Sequence, residues 1–70
     1  MWWFKEIEKA KVLQGRTIRY LAEKKLFITE NYLSLILSGK RGCSHLLAHN
    51  ITNCISFSAK LEDYFYKKGE

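Results

Sequence analysis

The chain has 70 residues, no proline, 47% hydrophobic side chains and a formal net charge of +5. That length holds one small domain, and so high an apolar content excludes a disordered chain. No apolar run approaches the roughly 18–20 residues that cross a bilayer, and Met1-Trp2-Trp3-Phe4 lacks the features of a secretory signal, so the expected location is the cytoplasm.

Hydrophobic periodicity predicts five helical segments and no strand, an all-α domain. The first runs from about Trp3 to Leu13, with Trp3, Ile7 and Ala10 inward and Lys5, Glu6, Glu8 and Lys9 outward. Gly15 ends it. Thr17 is the expected N-cap of the second segment, which points Ile18, Leu21 and Ala22 inward. Ala22 is small enough to let another helix approach closely. Lys24 and Lys25 suit the carbonyl end of this helix. Leu26-Phe27-Ile28 form an apolar connector expected to fold inward. Thr29 caps the third segment, where Leu33, Ile36 and Leu37 repeat at helical spacing, and Gly39 terminates it. Gly42 is expected to loosen the following loop. Ser44 caps a fourth helix to about Asn53, with Leu47, Ile51 and Cys54 inward. Ser58 is the expected cap of a last helix burying Leu61, Tyr64 and Phe65, and Lys67-Lys68-Gly69 is expected to fray. No start carries the full capping box, because the third residue after each cap is neither Glu nor Gln.

The charge is uneven. Residues up to Arg41 hold nine cations against four anions, residues 42–59 hold no charged side chain of either sign, and the tail is balanced. All net positive charge therefore lies in the half that carries the second and third helices. A polyanion partner and a solvated cationic surface explain that composition equally well. The unit from Thr17 to Gly42 tilts the balance. Two short amphipathic helices with a tight connector, closed by Gly39, Lys40 and Arg41, have the pattern of a helix-turn-helix. Its second helix can enter the DNA major groove while cations hold phosphates.

Thr17-Ile18-Arg19-Tyr20-Leu21-Ala22, then Leu33-Ser34-Leu35-Ile36-Leu37-Ser38-Gly39-Lys40-Arg41, then Ser44-His45-Leu46-Leu47-Ala48 resemble, in that order, the Cro and lambda-repressor class of helix-turn-helix regulators, the Xre family. The likeness spans nearly the whole chain and has the style of small regulators carried by phages and mobile elements. It implies a compact five-helix lambda-repressor-like domain, sequence-specific binding of double-stranded DNA as a homodimer on a short palindrome, and transcriptional regulation, repression above all. Four departures stand out. Ile18 replaces the usual Gln, Phe27 replaces the turn glycine, the connector is about one residue longer, and Leu37 replaces a Glu.

On this reading Glu30, Asn31, Tyr32 and Ser34 face the bases. Asn31 suits adenine, Glu30 the cytosine amino group, Ser34 either kind of base, and Tyr32 a thymine methyl or a phosphate. Lys40 and Arg41 lead the phosphate contacts, joined by Arg16, Thr17, Arg19, Thr29, Ser44 and His45, with Lys24 and Lys25 weaker. The plain alternative is that these are solvent-facing helix residues. His45, His49, Cys43 and Cys54 match no zinc-ligand spacing well, so no metal or other cofactor is expected, and the two cysteines read as free, buried thiols. No phosphate loop, acidic pair or nucleophile with a base argues for an enzyme. Two other readings remain: a helix-turn-helix scaffold from a phage or mobile element that binds and inhibits a host protein, and an accessory factor that bends DNA.

Overall fold

The structure, a computed structural model, describes residues 1–67. Its elements are β1 (Trp2–Phe4), a 3-10 turn (Glu6–Glu8), α1 (Lys9–Leu13), α2 (Ile18–Tyr20) running into a π-helical stretch (Leu21–Leu26), α3 (Glu30–Leu37), α4 (His45–Asn53), α5 (Leu61–Tyr64) and β2 (Phe65–Lys67). The chain is mostly helical, with five helices in the expected order, but the expectation of an all-α domain fails at both ends.

There β1 and β2 pair antiparallel, Trp2 opposite Lys67, Trp3 opposite Tyr66 and Phe4 opposite Phe65. Aromatic residues favour a pleated, half-buried surface, and strands of three residues are too short to show alternation in the sequence. The Phe4 and Phe65 rings meet edge to face, 5.2 Å between centres, and both are buried. A reciprocal pair of backbone hydrogen bonds ties Trp2 to Cys43, so β1 is held on both sides. This resets the phase of the first segment. Ile7 is 89% exposed and Ala10 is exposed, while Phe4 and Val12 take the inward places expected of Ile7 and Ala10. Lys67 sits in β2, and positions 68 and 69 lie outside the described residues.

Three helix starts follow the sequence. The hydroxyl oxygens of Thr17, Thr29 and Ser44 accept from the backbone N–H groups of Tyr20, Tyr32 and Leu47 at 3.0–3.2 Å. Ser58 does not cap α5, whose first turn starts from Lys60 with no side-chain cap. Leu61 and Phe65 are nevertheless buried, because the short helix hands over to β2 where Phe65 turns inward.

The core forms where α3 crosses the other helices. Leu33, Ile36 and Leu37 are wholly buried, together with Leu21 and Ala22 of the preceding helix and Ala48 and Ile51 of α4. Leu37 is thus a core residue, which accounts for an apolar side chain at that place. In α4 the inward face is Ala48, Ile51 and Thr52, with Leu47 and Cys54 only partly buried. The buried Thr52 hydroxyl donates to the Ala48 carbonyl at 2.9 Å.

The connector departs from expectation at Phe27. The π-helical stretch ends with both Phe27 and Ile28 N–H groups on the Ala22 carbonyl, and Phe27 takes the left-handed conformation, φ 57°. Leu26 and Ile28 tuck against the core as expected. Phe27 does not, and its ring is 83% exposed. Gly42 also differs from expectation. It does not loosen its loop but lets β1 pass, since a Cβ there would lie 3.0 Å from the Trp3 ring and 3.2 Å from the Trp2 carbonyl oxygen.

Candidate nucleic-acid interface

Cap geometry fixes both ends of α3. At its start Thr29, Glu30 and Asn31 are exposed, and the Thr29 hydroxyl keeps its own hydrogen for an outside acceptor while its oxygen caps the helix. At its end Gly39, φ 76°, closes a Schellman motif: Gly39 N–H donates to the Ile36 carbonyl and Lys40 N–H to that of Leu35. Ser38 adds hydroxyl bonds to the Ser34 and Leu35 carbonyls. That reversal returns the chain along the helix, so that the Arg41 guanidinium lies 4.8 Å from the Tyr32 ring centre, within the range of cation–π attraction.

Ile28, Thr29, Asn31, Tyr32, Leu35 and Arg41 thereby line one open groove of about 460 Å³. Two predicted base-facing residues, Asn31 and Tyr32, and two predicted phosphate contacts, Thr29 and Arg41, converge there. Glu30 stands exposed next to it in sequence, Ser34 is half-buried, and Lys40 is exposed. Ile28 and Leu35 make part of the wall apolar, Leu35 from the outer face of α3 and Ile28 from the connector expected to fold inward.

The other predicted phosphate contacts have different surroundings. Thr17 caps α2. Arg19 makes an exposed ion pair with Glu23 at 3.2 Å, a contact of small energetic weight in water. Ser44 caps α4, and His45 beside it is exposed, its ring 5.8 Å from that of Trp2 and 6.5 Å from that of His49 in a near-parallel stack. Arg16 is drawn into the structure. Its Nε donates to the Leu13 carbonyl, and its Nη2 to the carbonyls of Val12 and Cys54 and to Gln14 Oε1, all at 3.0–3.2 Å. A cation one residue after the helix-breaking Gly15 is well placed to meet the carbonyl end of α1, a signal present in the sequence.

Both cysteines are free. Burial pushes the Cys43 thiol from 9.0 up to about 11. Burial also raises Cys54, opposed by the nearby charges of Arg16 and Lys25. Among the described residues no group of three or more potential ligands gathers for a metal ion, and no helix is long and apolar enough to cross a membrane. None of the known protein families, curated proteins or solved structures compared with the chain matches it.

Proposed function

We propose that the protein binds double-stranded DNA through α3 as a sequence-specific transcriptional regulator, a repressor of the lambda-repressor-like type, working in the cytoplasm as a homodimer on a short palindrome. One observation carries this reading: the exposed first turn of α3 and the Arg41 cation border the same groove. A base-reading helix needs polar side chains at its leading end and cations beside them to fix its register on the phosphates. Asn31 and Glu30 supply the first, and Lys40 and Arg41 the second. Thr29 adds a hydroxyl at the positive end of the helix, where a phosphate oxygen is favoured.

The test is fluorescence anisotropy with random-sequence duplexes across a salt series. Affinity should fall steeply with salt, and selection from a random library should yield a half-site that loses discrimination at one base pair in Asn31→Ala. Absence of duplex binding at low salt removes the proposal.

A second reading is favoured by Phe27 and by the apolar wall of Ile28 and Leu35. An almost fully exposed aromatic ring beside apolar groove residues also suits a protein partner, such as a host factor inhibited by a phage or mobile-element protein. A host protein that binds wild type but not Phe27→Ser, with no duplex shift at low salt, would select this reading.

A further inference from the structure

A second concavity lies near the carbonyl ends of α1 and α4. It measures about 290 Å³ and is lined by Arg16, Lys25, Asn50, Asn53 and Cys54. We propose that this pocket binds a phosphate group, as free phosphate or a small phosphate ester or as one phosphate of a nucleic-acid backbone. The assignment stands apart from the α3 reading and survives its failure.

The lining chemistry is that of an anion site. Two cations and two carboxamides face the space, and no carboxylate lines it. Arg16 is held in advance: its Nε and Nη2 hydrogens go to three carbonyls and to the Gln14 amide oxygen, and none of those bonds uses Nη1. The two Nη1 hydrogens remain, on a guanidinium already fixed in place, so an oxyanion can be met with little ordering left to do. Arg16 covers the carbonyls of Val12, Leu13 and Cys54, which would otherwise repel an anion.

Lys25 brings a second charge, exposed and without a carboxylate partner among the described residues. Arg16, Lys25 and Cys54 line the same space, and both charges oppose the burial-driven rise of the Cys54 thiol. Asn50 and Asn53 stand three apart on α4, close enough for both amides to donate to one tetrahedral group. The volume sits at the small end of ligand sites, which suits phosphate or a small ester rather than a whole nucleotide.

Titration of the protein with inorganic phosphate at constant ionic strength, followed by NMR of the Asn50 and Asn53 side-chain amides and the Arg16 Nε–H, tests the pocket. The expected result is a saturable shift of these signals. Lys25→Gln should weaken it roughly tenfold, the weight of one charge-assisted hydrogen bond, whereas Lys60→Gln, which removes the same charge elsewhere, should not. Shifts that rise linearly without saturation, that chloride reproduces, or that are equal in Lys25→Gln and wild type overturn the proposal. Asn53→Ala gives a second check that leaves the charge count unchanged and should also weaken the shift. A duplex titration then separates the sources. Competition between phosphate and DNA at these signals assigns the pocket to a backbone phosphate, and independent binding assigns it to a free one.

Discussion

Arg41 lies over the ring of Tyr32 with its guanidinium carbon 4.8 Å from the ring centre, joining the loop after α3 to the first turn of the same helix. They stand nine positions apart in the chain, and the Gly39 reversal is what brings them together. The contact itself is worth only about 0.5–1 kcal/mol at an exposed site. Its larger consequence is that a cation of the loop is oriented relative to the polar leading end of the helix. Arg41→Ala should therefore weaken duplex binding on every sequence and lower the salt slope by about 0.9, the share of one phosphate. Tyr32→Phe, which keeps the ring, should leave that slope unchanged. Anisotropy over a salt series reads both.

Arg16 should act on stability far more than its charge suggests. Removing the side chain leaves the Val12, Leu13 and Cys54 carbonyls without that donor, and hydrogen bonds to charged groups are worth roughly 1.5–3 kcal/mol. Arg16→Ala is expected to lower the unfolding free energy by about 2 kcal/mol in urea titration. Measured under conditions where the variant remains folded, its duplex affinity should change less than that of Arg41→Ala. An equal loss of affinity with no loss of stability would mean that Arg16 serves the duplex rather than the fold.

The features legible in the sequence were those set by local chemistry. Thr17, Thr29 and Ser44 announced three helix starts because a cap needs only a hydroxyl and the next three residues. Leu33, Ile36 and Leu37 announced the buried face of α3 because helical spacing alone aligns them. What stayed hidden depends on partners far along the chain. The β1–β2 pairing joins residues 2–4 to 65–67, and nothing local in Trp2-Trp3-Phe4 distinguishes a short strand from the first turn of a helix. Once that strand forms, Ile7 loses its inward place. The site was split in the same way. Asn31 and Tyr32 were readable from α3, whereas the convergence of Ile28, Leu35 and Arg41 on them required the turn geometry at Phe27 and Gly39.

Phe27 is a place where conformation and residue type disagree. A bulky side chain in the left-handed region costs about 1–2 kcal/mol, and its exposed ring recovers little of that by burial. Phe27→Gly should consequently leave stability unchanged or raise it by up to about 1 kcal/mol, the strain relief being partly offset by a more flexible unfolded chain. Phe27→Val should lower it, since β-branching makes the same φ harder to reach. Thermal unfolding of the three proteins distinguishes these outcomes, and a clear loss in Phe27→Gly would mean that the ring makes a stabilising contact.

Gly42 offers the opposite test, a position limited by space rather than by φ. A methyl group there meets the Trp3 ring at 3.0 Å and the Trp2 carbonyl oxygen at 3.2 Å, closer than ordinary contact allows. The Trp2 carbonyl accepts from Cys43 N–H, so β1 cannot retreat without breaking that bridge. Gly42→Ala should destabilise by about 1–3 kcal/mol, as overpacking does. Faster amide exchange at Trp2 and Cys43 should accompany the loss.

Burial of the Cys43 thiol makes stability depend on pH in the alkaline range. The folded thiol ionises near 11 against 9.0 for the free group, so between these values the folded chain holds a proton that the unfolded chain has released. Stability contributed by that neutral thiol is complete below pH 9 and declines as pH rises toward 11. Lysines and tyrosines also titrate there, so the measurement is a difference. Urea unfolding of wild type and Cys43→Ala at pH 8 and pH 10.5 should show the larger pH-induced loss in wild type. Equal losses in the two proteins would mean that Cys43 ionises as readily in the folded chain as in water.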